Sequence, residues 1–367
     1  MSKISTKPPS GTRDFLPEDI ARRRHVVGVI EDVYQHYGFV PIETPAFENL
    51  TTLTGKYGDE GDQLLYRLLH RRDALARALD IENVTERDLA DLGLRYDLTV
   101  PLARVVAQYR DLPRFFKRYQ IQPVWRADRP GRGRFREFYQ CDVDIVGTDS
   151  LIAEAEVLAA ISEVLERLGF ADFTLHLNHR GILRGLILSA QIPLDKEQTA
   201  LVAVDKLDKI GADGVHRELV SRGIAKDAAA RLLAILEPKE TSGRTLEATL
   251  GETLTSEEGQ TALAQLHELG ELLKSTPAGS HVRMSPELAR GLSYYTGTIF
   301  EITVPDLAGS LGGGGRYDEL IGMFGKQTIP AVGGSIGLER ILLVMQERKM
   351  YPSLTTGPDV LVCWLGI

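Results

Sequence analysis

Five arginines lie within eleven residues of a chain whose formal net charge is -8. A guanidinium group binds phosphate or carboxylate oxygens through paired hydrogen bonds and stays charged at any working pH. The cluster therefore predicts a local site for an anionic ligand. The ordinary alternative is a solvated turn, because runs of charge are usually exposed. The five are Arg126, Arg129, Arg132, Arg134 and Arg136.

The residues on either side of this cluster predict the element that carries it. Apolar and aromatic side chains dominate residues 115–125 and 138–147, which is typical of strands. Gly131 and Gly133 permit tight backbone turns between the arginines. We therefore expect an antiparallel hairpin with a mobile basic tip that closes on the ligand.

Asp97 and Thr99 offer a second polar site. We predict that they lie on a strand, where their side chains share one face, because side chains two residues apart point the same way. A carboxylate and a hydroxyl so placed can hold an ammonium group. A surface aspartate beside an ordinary strand threonine is the alternative.

Two further patterns concern glycine and histidine. Four consecutive glycines at 312–315 have strand-like flanks, and such a run needs a reason, so we predict that a ligand approaches the backbone there. No Gly-Lys-Ser/Thr follows, so the run is not a P-loop. His176 and His179 would point to opposite faces of a strand without cysteine or carboxylate neighbours, and we predict no metal site.

Composition limits the class of protein. The 367 residues are enough for two or three domains, and 43% hydrophobic with 26% charged residues is typical of a soluble protein. The start has no apolar stretch of signal-peptide length, and no run is long enough to span a membrane. Cys141 and Cys363 cannot form a disulfide framework. We therefore expect a cytoplasmic protein that could contact RNA only through a local basic patch.

Around these sites the sequence predicts a framework of helices and strands. Residues 17–37 predict a helix with an apolar stripe, followed by a strand at 39–48 that contains two prolines. Residues 150–169 predict an amphipathic helix. Residues 193–279 are rich in Ala, Leu, Lys and Glu, which indicates a small helical insertion.

Several of these segments resemble one family. The letters WRADRP and GRFREFYQCDVDIVG of the hairpin resemble motif 2 of class II aminoacyl-tRNA synthetases, in the form found in histidyl-tRNA synthetases. LARGLSYYTGTIFE, residues 288–301, closely resembles a signature of the histidyl enzymes, although Ser293 stands where the family usually has Asp. Residues 17–48 resemble motif 1, and residues 330–344 resemble motif 3. The resemblance covers residues 8–367.

The resemblance implies an α+β fold, in which an antiparallel sheet of six or seven strands is flanked by helices and carries a small helical insertion. It implies a first part of the catalytic core at 1–192, the insertion at 193–279 and a second part of the core at 280–350. Residues 356–367 would begin an anticodon-binding domain that is otherwise missing.

The resemblance also implies a two-step reaction. ATP and L-histidine give histidyl-adenylate and pyrophosphate, and the histidyl group then moves to the histidine tRNA. ATP is a substrate accompanied by Mg²⁺, the enzyme is a homodimer, and no membrane is involved. The alternative is a histidine-sensing regulatory subunit of ATP phosphoribosyltransferase, which has this fold without the anticodon-binding domain and without catalysis.

Specific residues take on roles by the same resemblance. Two arginines act on the charge that develops at the α-phosphate, namely Arg126 and Arg290. ATP is bound by Arg126, Asp128, Arg134 and Arg340, of which the last packs on adenine. Histidine is bound by Asp97, Thr99 and Gln140 at its amino group, by Asp144 and Tyr295 at its imidazole, and by Tyr294, for which a core position is the alternative.

Overall fold

The computed structural model describes residues 4–236, 246–289, 294–325 and 327–354, together with 357, 360 and 362–364. Its first long element is helix α1 (Pro17–His36), close to the predicted 17–37. Proline suits the first helical turn, since its missing N–H has no intrahelical partner there anyway. Gly38, with φ of +79°, adopts the left-handed conformation that ends the helix.

Eight strands form the main sheet, in the spatial order β1-β5-β6-β11-β10-β9-β7-β8. The sheet is antiparallel except at its two edges, where β1 pairs with β5 and β7 with β8 in parallel. These two short edge strands explain why the count exceeds the expected six or seven. In chain order the strands are β1 (Val40–Pro41), β5 (Phe116–Trp125), β6 (Glu137–Val146), β7 (Thr174–His179), β8 (Val282–Met284), β9 (Thr298–Thr303), β10 (Gly312–Arg316) and β11 (Ala331–Gly337).

A second sheet has three strands, in the order β2-β4-β3. These are β2 (Phe47–Asn49), β3 (Arg67–Leu69) and β4 (Ala90–Leu94). The single strand predicted at 39–48 is therefore wrong, because β1 and β2 belong to different sheets. Pro41 and Pro45 lack the N–H that a continuous ladder would need, so the chain changes sheets between them.

Helices cover the sheet and connect its strands. The predicted hairpin is present, because β5 and β6 pair along their full lengths from Phe116–Val146 to Trp125–Glu137. The amphipathic helix predicted at 150–169 is α6, which packs its apolar face on β11 and β6. Outside residues 193–279, the helices are α2 (Leu50–Leu53), α3 (Gly58–Gln63), α4 (Asp73–Leu79), α5 (Thr99–Gln108), α6 (Ile152–Arg167), α7 (Arg180–Ser189) and α13 (Leu338–Glu347), with a 3-10 turn at Ile321–Met323.

The described part of residues 193–279 is helical. Its longest helix packs against α7, α6 and β7, and its apolar residues join the same core as the main sheet. The core therefore continues across residues 192 and 279, and a division of the chain into domains at these two residues remains a proposal. The helices are α8 (Glu197–Val204), α9 (Leu207–Ser221), α10 (Lys226–Leu236), α11 (Leu246–Thr253) and α12 (Glu257–Leu273), after a 3-10 turn at Leu194–Lys196.

Two further predictions from the sequence concern residues 356–367 and membrane-spanning segments. Of residues 356–367, which were expected to begin a further domain, the structure describes only 357, 360 and 362–364, so this expectation falls mostly outside the described residues. Of the helices that the structure describes, none combines the length and the apolar character needed to cross a membrane.

Candidate active site

A cavity of about 310 Å³ lies on the face of the main sheet formed by β6, β10 and β11, beside the hairpin tip. It brings together residues that the sequence singled out in five separate segments. The predicted residues that line it are Asp97, Thr99, Arg126, Asp128, Arg134, Gln140, Tyr294, Tyr295 and Arg340. Arg290 lies outside the described residues, as does Ser293.

Only two of the five clustered arginines line this cavity, namely Arg126 and Arg134. Arg132 instead bonds Glu347 at 3.1 Å and the carbonyl of Asp306 at 3.2 Å. Arg136 donates to the carbonyl of Asp128 at 3.0 Å. Arg126 and Arg134 can therefore face a ligand, whereas Arg132 and Arg136 hold the hairpin in place.

The tip of the hairpin is a tight turn. Gly131 and Arg134 exchange backbone hydrogen bonds of 3.0 Å in both directions, and Gly133 between them has φ of +68°. A residue with a side chain would be strained at that φ. The turn places Arg134 within 2.8 Å of Asp128, so that both side chains meet at the cavity.

Arg126 is held at the cavity wall by three contacts. Its Nε donates to the carbonyl of Tyr96 at 3.0 Å, and its guanidinium lies 4.2 Å from the ring centre of Tyr96 and 5.1 Å from that of Phe138. Aromatic faces attract a guanidinium electrostatically. The group is therefore held in one orientation before any ligand binds.

Asp97 does not lie on a strand with Thr99, so that prediction is wrong. It lies in the short connection between β4 and α5, whereas Thr99 is the first residue of α5. A helix begins here because Asp97 Oδ1 accepts from the backbone N–H of Val100 at 3.1 Å, which satisfies an otherwise unpaired helix donor. Both side chains still reach the cavity.

The Asp97 carboxylate is buried and is held by two phenols. Tyr57 donates to Oδ1 at 3.1 Å, and Tyr294 donates to Oδ2 at 3.0 Å. Burial raises the pKa of Asp97, against which the Val100 N–H, Arg126 and the two phenols act. Tyr294 is buried as well as lining the cavity, so the core position and the predicted site position describe the same side chain.

Asp144 lies behind the cavity wall rather than in it. A Cβ at Gly333 would come within 1.9 Å of Asp144 Oδ1, so the carboxylate occupies the space that this glycine leaves open. Tyr317, which does line the cavity, donates a short hydrogen bond to Oδ1, and Arg118 lies 2.8 Å from Oδ2. The group presented to a ligand here is therefore the Tyr317 phenol.

A buried group of charges lies beneath this wall. The fully buried Arg118 faces both Asp144 and Asp142, the latter at 3.9 Å. Burial raises the pKa of Asp142 to about 7, although Arg118 acts in the opposite direction, and burial raises the pKa of Asp144 too. The single Arg118 guanidinium thus offsets the charge of two carboxylates.

Two of the four consecutive glycines line the cavity, and a third packs against a neighbouring strand. Gly312 and Gly313 line the cavity together with Gly333 and Gly334 of β11. A Cβ at Gly314 would lie 2.1 Å from the carbonyl oxygen of Gly333, so this position is closed by the neighbouring strand. Close approach of a ligand therefore accounts for only part of the run.

Arg340 joins three parts of the cavity rim. It lies in the first turn of α13, donates to the carbonyl of Gly133 at 3.3 Å and donates a short hydrogen bond to the carbonyl of Ser310. The neighbouring Glu339 lines the same wall.

The lining residues that were not predicted from the sequence include Tyr317, Ser335 and Glu339. Ser335 and Glu339 lie in the segment that resembles motif 3, and Tyr317 lies two residues after the glycine run. Ser335 accepts from the Gln140 amide at 3.1 Å. A polar or aromatic side chain within two residues of a glycine was the available signal.

The two histidines contact different partners. His176 bonds Ser285 and Thr303, and His179 accepts from the N–H of Gly181 at the start of α7. Burial lowers the pKa of His179 to about 4. Among the described residues there is no group of three or more His, Cys, Asp or Glu side chains that could hold a metal ion.

Comparison with known proteins places this geometry in a family. The family model described as histidyl-tRNA synthetase matches residues 11–341. The histidine–tRNA ligase of Gloeobacter violaceus is 44% identical over 97% of this chain and 79% of its own length. That of Bacteroides fragilis is 45% identical over 95% of this chain and 79% of its own length.

Solved structures show similarity to the same family. The histidyl-tRNA synthetase of Nostoc sp. PCC 7120 superposes with a TM-score of 0.78 and 31% identity, over 97% of this chain and 79% of that one. A Bacillus halodurans C protein described as an ATP phosphoribosyltransferase regulatory subunit/histidyl-tRNA synthetase has a TM-score of 0.76 and 25% identity, over 93% and 83%. The more similar curated relatives support the ligase over the regulatory subunit. The chain therefore belongs to the histidyl-tRNA synthetase family, and its activity is that of a histidine–tRNA ligase.

Proposed function

We propose that the cavity binds histidine beside Asp97 and ATP beside the hairpin tip, and that histidyl-adenylate forms between them. The convergence of a buried carboxylate, three arginines and a glycine floor in one cavity carries the proposal. The histidine carboxylate attacks the α-phosphorus in line, a new C–O–P linkage forms, and the bond to pyrophosphate breaks. The nucleophile is already ionised, so no general base is needed.

Arg126 is suited to this step by its fixed position. Negative charge that develops on the α-phosphate oxygens is stabilised most by a donor that does not reorganise during the reaction. The resemblance gives Arg290 a parallel role. Arg134 would hold the outer phosphates, and Arg340 would pack on adenine through a cation–π contact.

Histidine recognition follows from the phenols and Asp97. The buried carboxylate with Thr99 and Gln140 would bind the α-ammonium group. Tyr295 and Tyr317 would face the imidazole, which needs one partner at each ring nitrogen. Because the Tyr317 hydroxyl donates its proton to Asp144, the phenol oxygen of Tyr317 can still accept from an imidazole N–H. Asp144 would therefore act on the imidazole through Tyr317. A substrate that leaves these buried groups unpaired would bind much more weakly.

Mg²⁺ is expected with ATP. This ion usually keeps several waters and binds through one or two carboxylates plus substrate phosphates. The candidate carboxylates on this side are Asp128 and Glu339, which are paired with Arg134 and Arg23. Its role would be to neutralise phosphate charge. The proposed domain boundaries and the cytoplasmic location rest on the sequence.

Histidine-dependent exchange of pyrophosphate into ATP tests the proposal. We expect histidine to support exchange, and other amino acids at equal concentration to fail, because they leave a buried polar group unpaired. Asp97→Asn should raise KM for histidine more than KM for ATP. Histidine binding in calorimetry without any exchange would instead favour a sensing role.

We further propose a homodimer through the segment that resembles motif 1. Val40 and Phe47 there are 48% and 49% exposed, and β1 is an edge strand of the main sheet among the described residues. Sedimentation at micromolar concentration should give a dimer, and Phe47→Glu should weaken it. Leu194→Glu, at an exposed apolar residue of the helical segment, serves as the control. A monomeric wild-type protein that exchanges pyrophosphate would contradict this.

A further inference from the structure

The segment that precedes α1 packs beside the tip of the hairpin, where β6 begins. The Arg13 guanidinium lies 3.9 Å from the ring centre of Phe135 and 4.8 Å from that of Phe15. The Arg23 guanidinium, from α1, lies 4.2 Å from the same Phe15 ring and 4.3 Å from that of Tyr139. The result is an alternating stack, Phe135–Arg13–Phe15–Arg23–Tyr139, whose two ends both belong to the hairpin.

One carboxylate ties this stack to α13. Glu339, only 3% exposed, accepts from Arg23 at 3.1 Å and lies 3.8 Å from Arg13. Its other oxygen accepts from the backbone N–H of Tyr139 at 2.8 Å. The stack, the strand β6 and the first turn of α13 therefore share a single anchor next to Arg340.

Backbone contacts hold the same segment against the hairpin. Arg136 N–H donates to the carbonyl of Gly11 at 2.7 Å, and the Arg136 side chain donates to the carbonyl of Ser10 at 3.3 Å. Gly11 has φ of +83°, and a Cβ there would lie 2.6 Å from Arg136 Cγ. The chain can approach this closely only because the position has no side chain.

Phe135 connects the stack to the candidate active site. It lines the main cavity on one side and, on the other, a smaller cavity of about 110 Å³ that Arg13, Phe15 and Arg23 also line. The ring is thus a partition, and Arg13 packs against it from behind. A shift of Arg13 would allow Phe135 to move away from the ligand.

We propose that Arg13 and Arg23 are positioning residues of the nucleotide site, which hold Phe135, Glu339 and hence Arg340 in the geometry that binds ATP. Neither arginine lines the main cavity, so both act through other residues. The inference rests on the proposed binding of ATP at the hairpin side. Arginine suits the role because its planar group stacks between two rings, which a lysine ammonium cannot do.

The test is the KM for ATP and the KM for histidine in pyrophosphate exchange, measured on Arg13→Ala. Loss of cation–π contacts of ordinary strength predicts an increase of about 3- to 30-fold in KM for ATP. KM for histidine should change little. Arg24→Ala is the matched control, because Arg24 lies on α1 next to Arg23 and is exposed. Arg13→Lys should recover only part of the loss.

A second variant, at Arg23, tests the other arginine of the stack. Arg23 is buried against Glu339, so Arg23→Lys is preferred to its removal, with the melting temperature measured in parallel. We expect a selective effect on KM for ATP, and Phe135→Leu combined with Arg13→Ala should cost less than the sum of the two. Equal effects on both KM values, or additive effects, would overturn the inference. If Arg126→Ala and Arg340→Ala leave ATP use unchanged, the placement of ATP fails instead.

Discussion

Replacing Arg126 by alanine should lower the rate of histidine-dependent pyrophosphate exchange by about 10²–10³-fold, the usual cost of losing one preorganised donor to transition-state charge. The Tyr96 carbonyl and the rings of Tyr96 and Phe138 fix this guanidinium at the cavity. Stabilisation that appears only in the transition state lowers kcat more than it raises KM. The measurement is exchange at saturating histidine and ATP.

The hairpin supplies its own control for that experiment. Arg129 belongs to the same cluster but is exposed and does not line the cavity. Arg129→Ala should therefore exchange pyrophosphate at the wild-type rate. Arg126→Lys should remain impaired, because an ammonium group does not reproduce the planar fork. If the two alanine variants lost activity equally, general charge attraction rather than a positioned donor would explain the cluster.

Replacing Arg118 by methionine should destabilise the fold by about 3–5 kcal/mol at pH 8, the usual cost of removing one partner from a buried ion pair. The change leaves Asp142 and Asp144 buried without their guanidinium. Methionine keeps most of the volume, so the effect should arise from charge. Melting temperature or denaturant unfolding measures it.

This destabilisation should depend on pH in a defined direction. The pKa of Asp142 is about 7 in the folded protein and about 4 in an unfolded chain, so the folded state binds the extra proton. Stability from this group is therefore full below about pH 4 and is lost as pH rises through about 7. Removing Arg118 raises the pKa of both carboxyl groups further. The variant should thus be closest to wild type at pH 5 and furthest from it at pH 8.

Two comparisons separate charge from packing. Adding Asp142→Asn and Asp144→Asn to Arg118→Met should restore much of the lost stability, since the unpaired charges are then gone. Arg167→Met, at an exposed arginine paired with Asp32 and Glu163, should show little change at either pH. A penalty for Arg118→Met that is the same at pH 5 and pH 8 would contradict the electrostatic account.

The sequence predicted the local elements better than the contacts between them. The hairpin and α6 follow from alternation and helical periodicity over ten or more residues, which are local patterns. The fold class is confirmed by the family comparison. The segment 39–48 was misread because periodicity does not show which sheet a strand joins.

For the candidate site as well, the sequence predicted residue types better than contacts between distant segments. Residue types and motifs indicated Arg126 and Arg340, and the cavity contains both. The depth of Asp144 could not be predicted, because it depends on its pairing with Gly333 across two strands almost 190 residues apart. The same reason hid Glu339, whose partners Arg23 and Tyr139 come from distant parts of the chain. Local pattern identifies side-chain chemistry, whereas register determines which side chains reach the ligand.

The floor of the cavity limits how this enzyme could acquire another substrate. Because Gly312, Gly313, Gly333 and Gly334 present only backbone, the surface beneath the ligand has no side chain that mutation could exchange for another. Any added Cβ at these four positions would meet a neighbouring atom at 2.8 Å or less. Changes in amino-acid preference must therefore arise at the rim, at positions such as Gln140 and Tyr295, while the floor is confined to a single residue type.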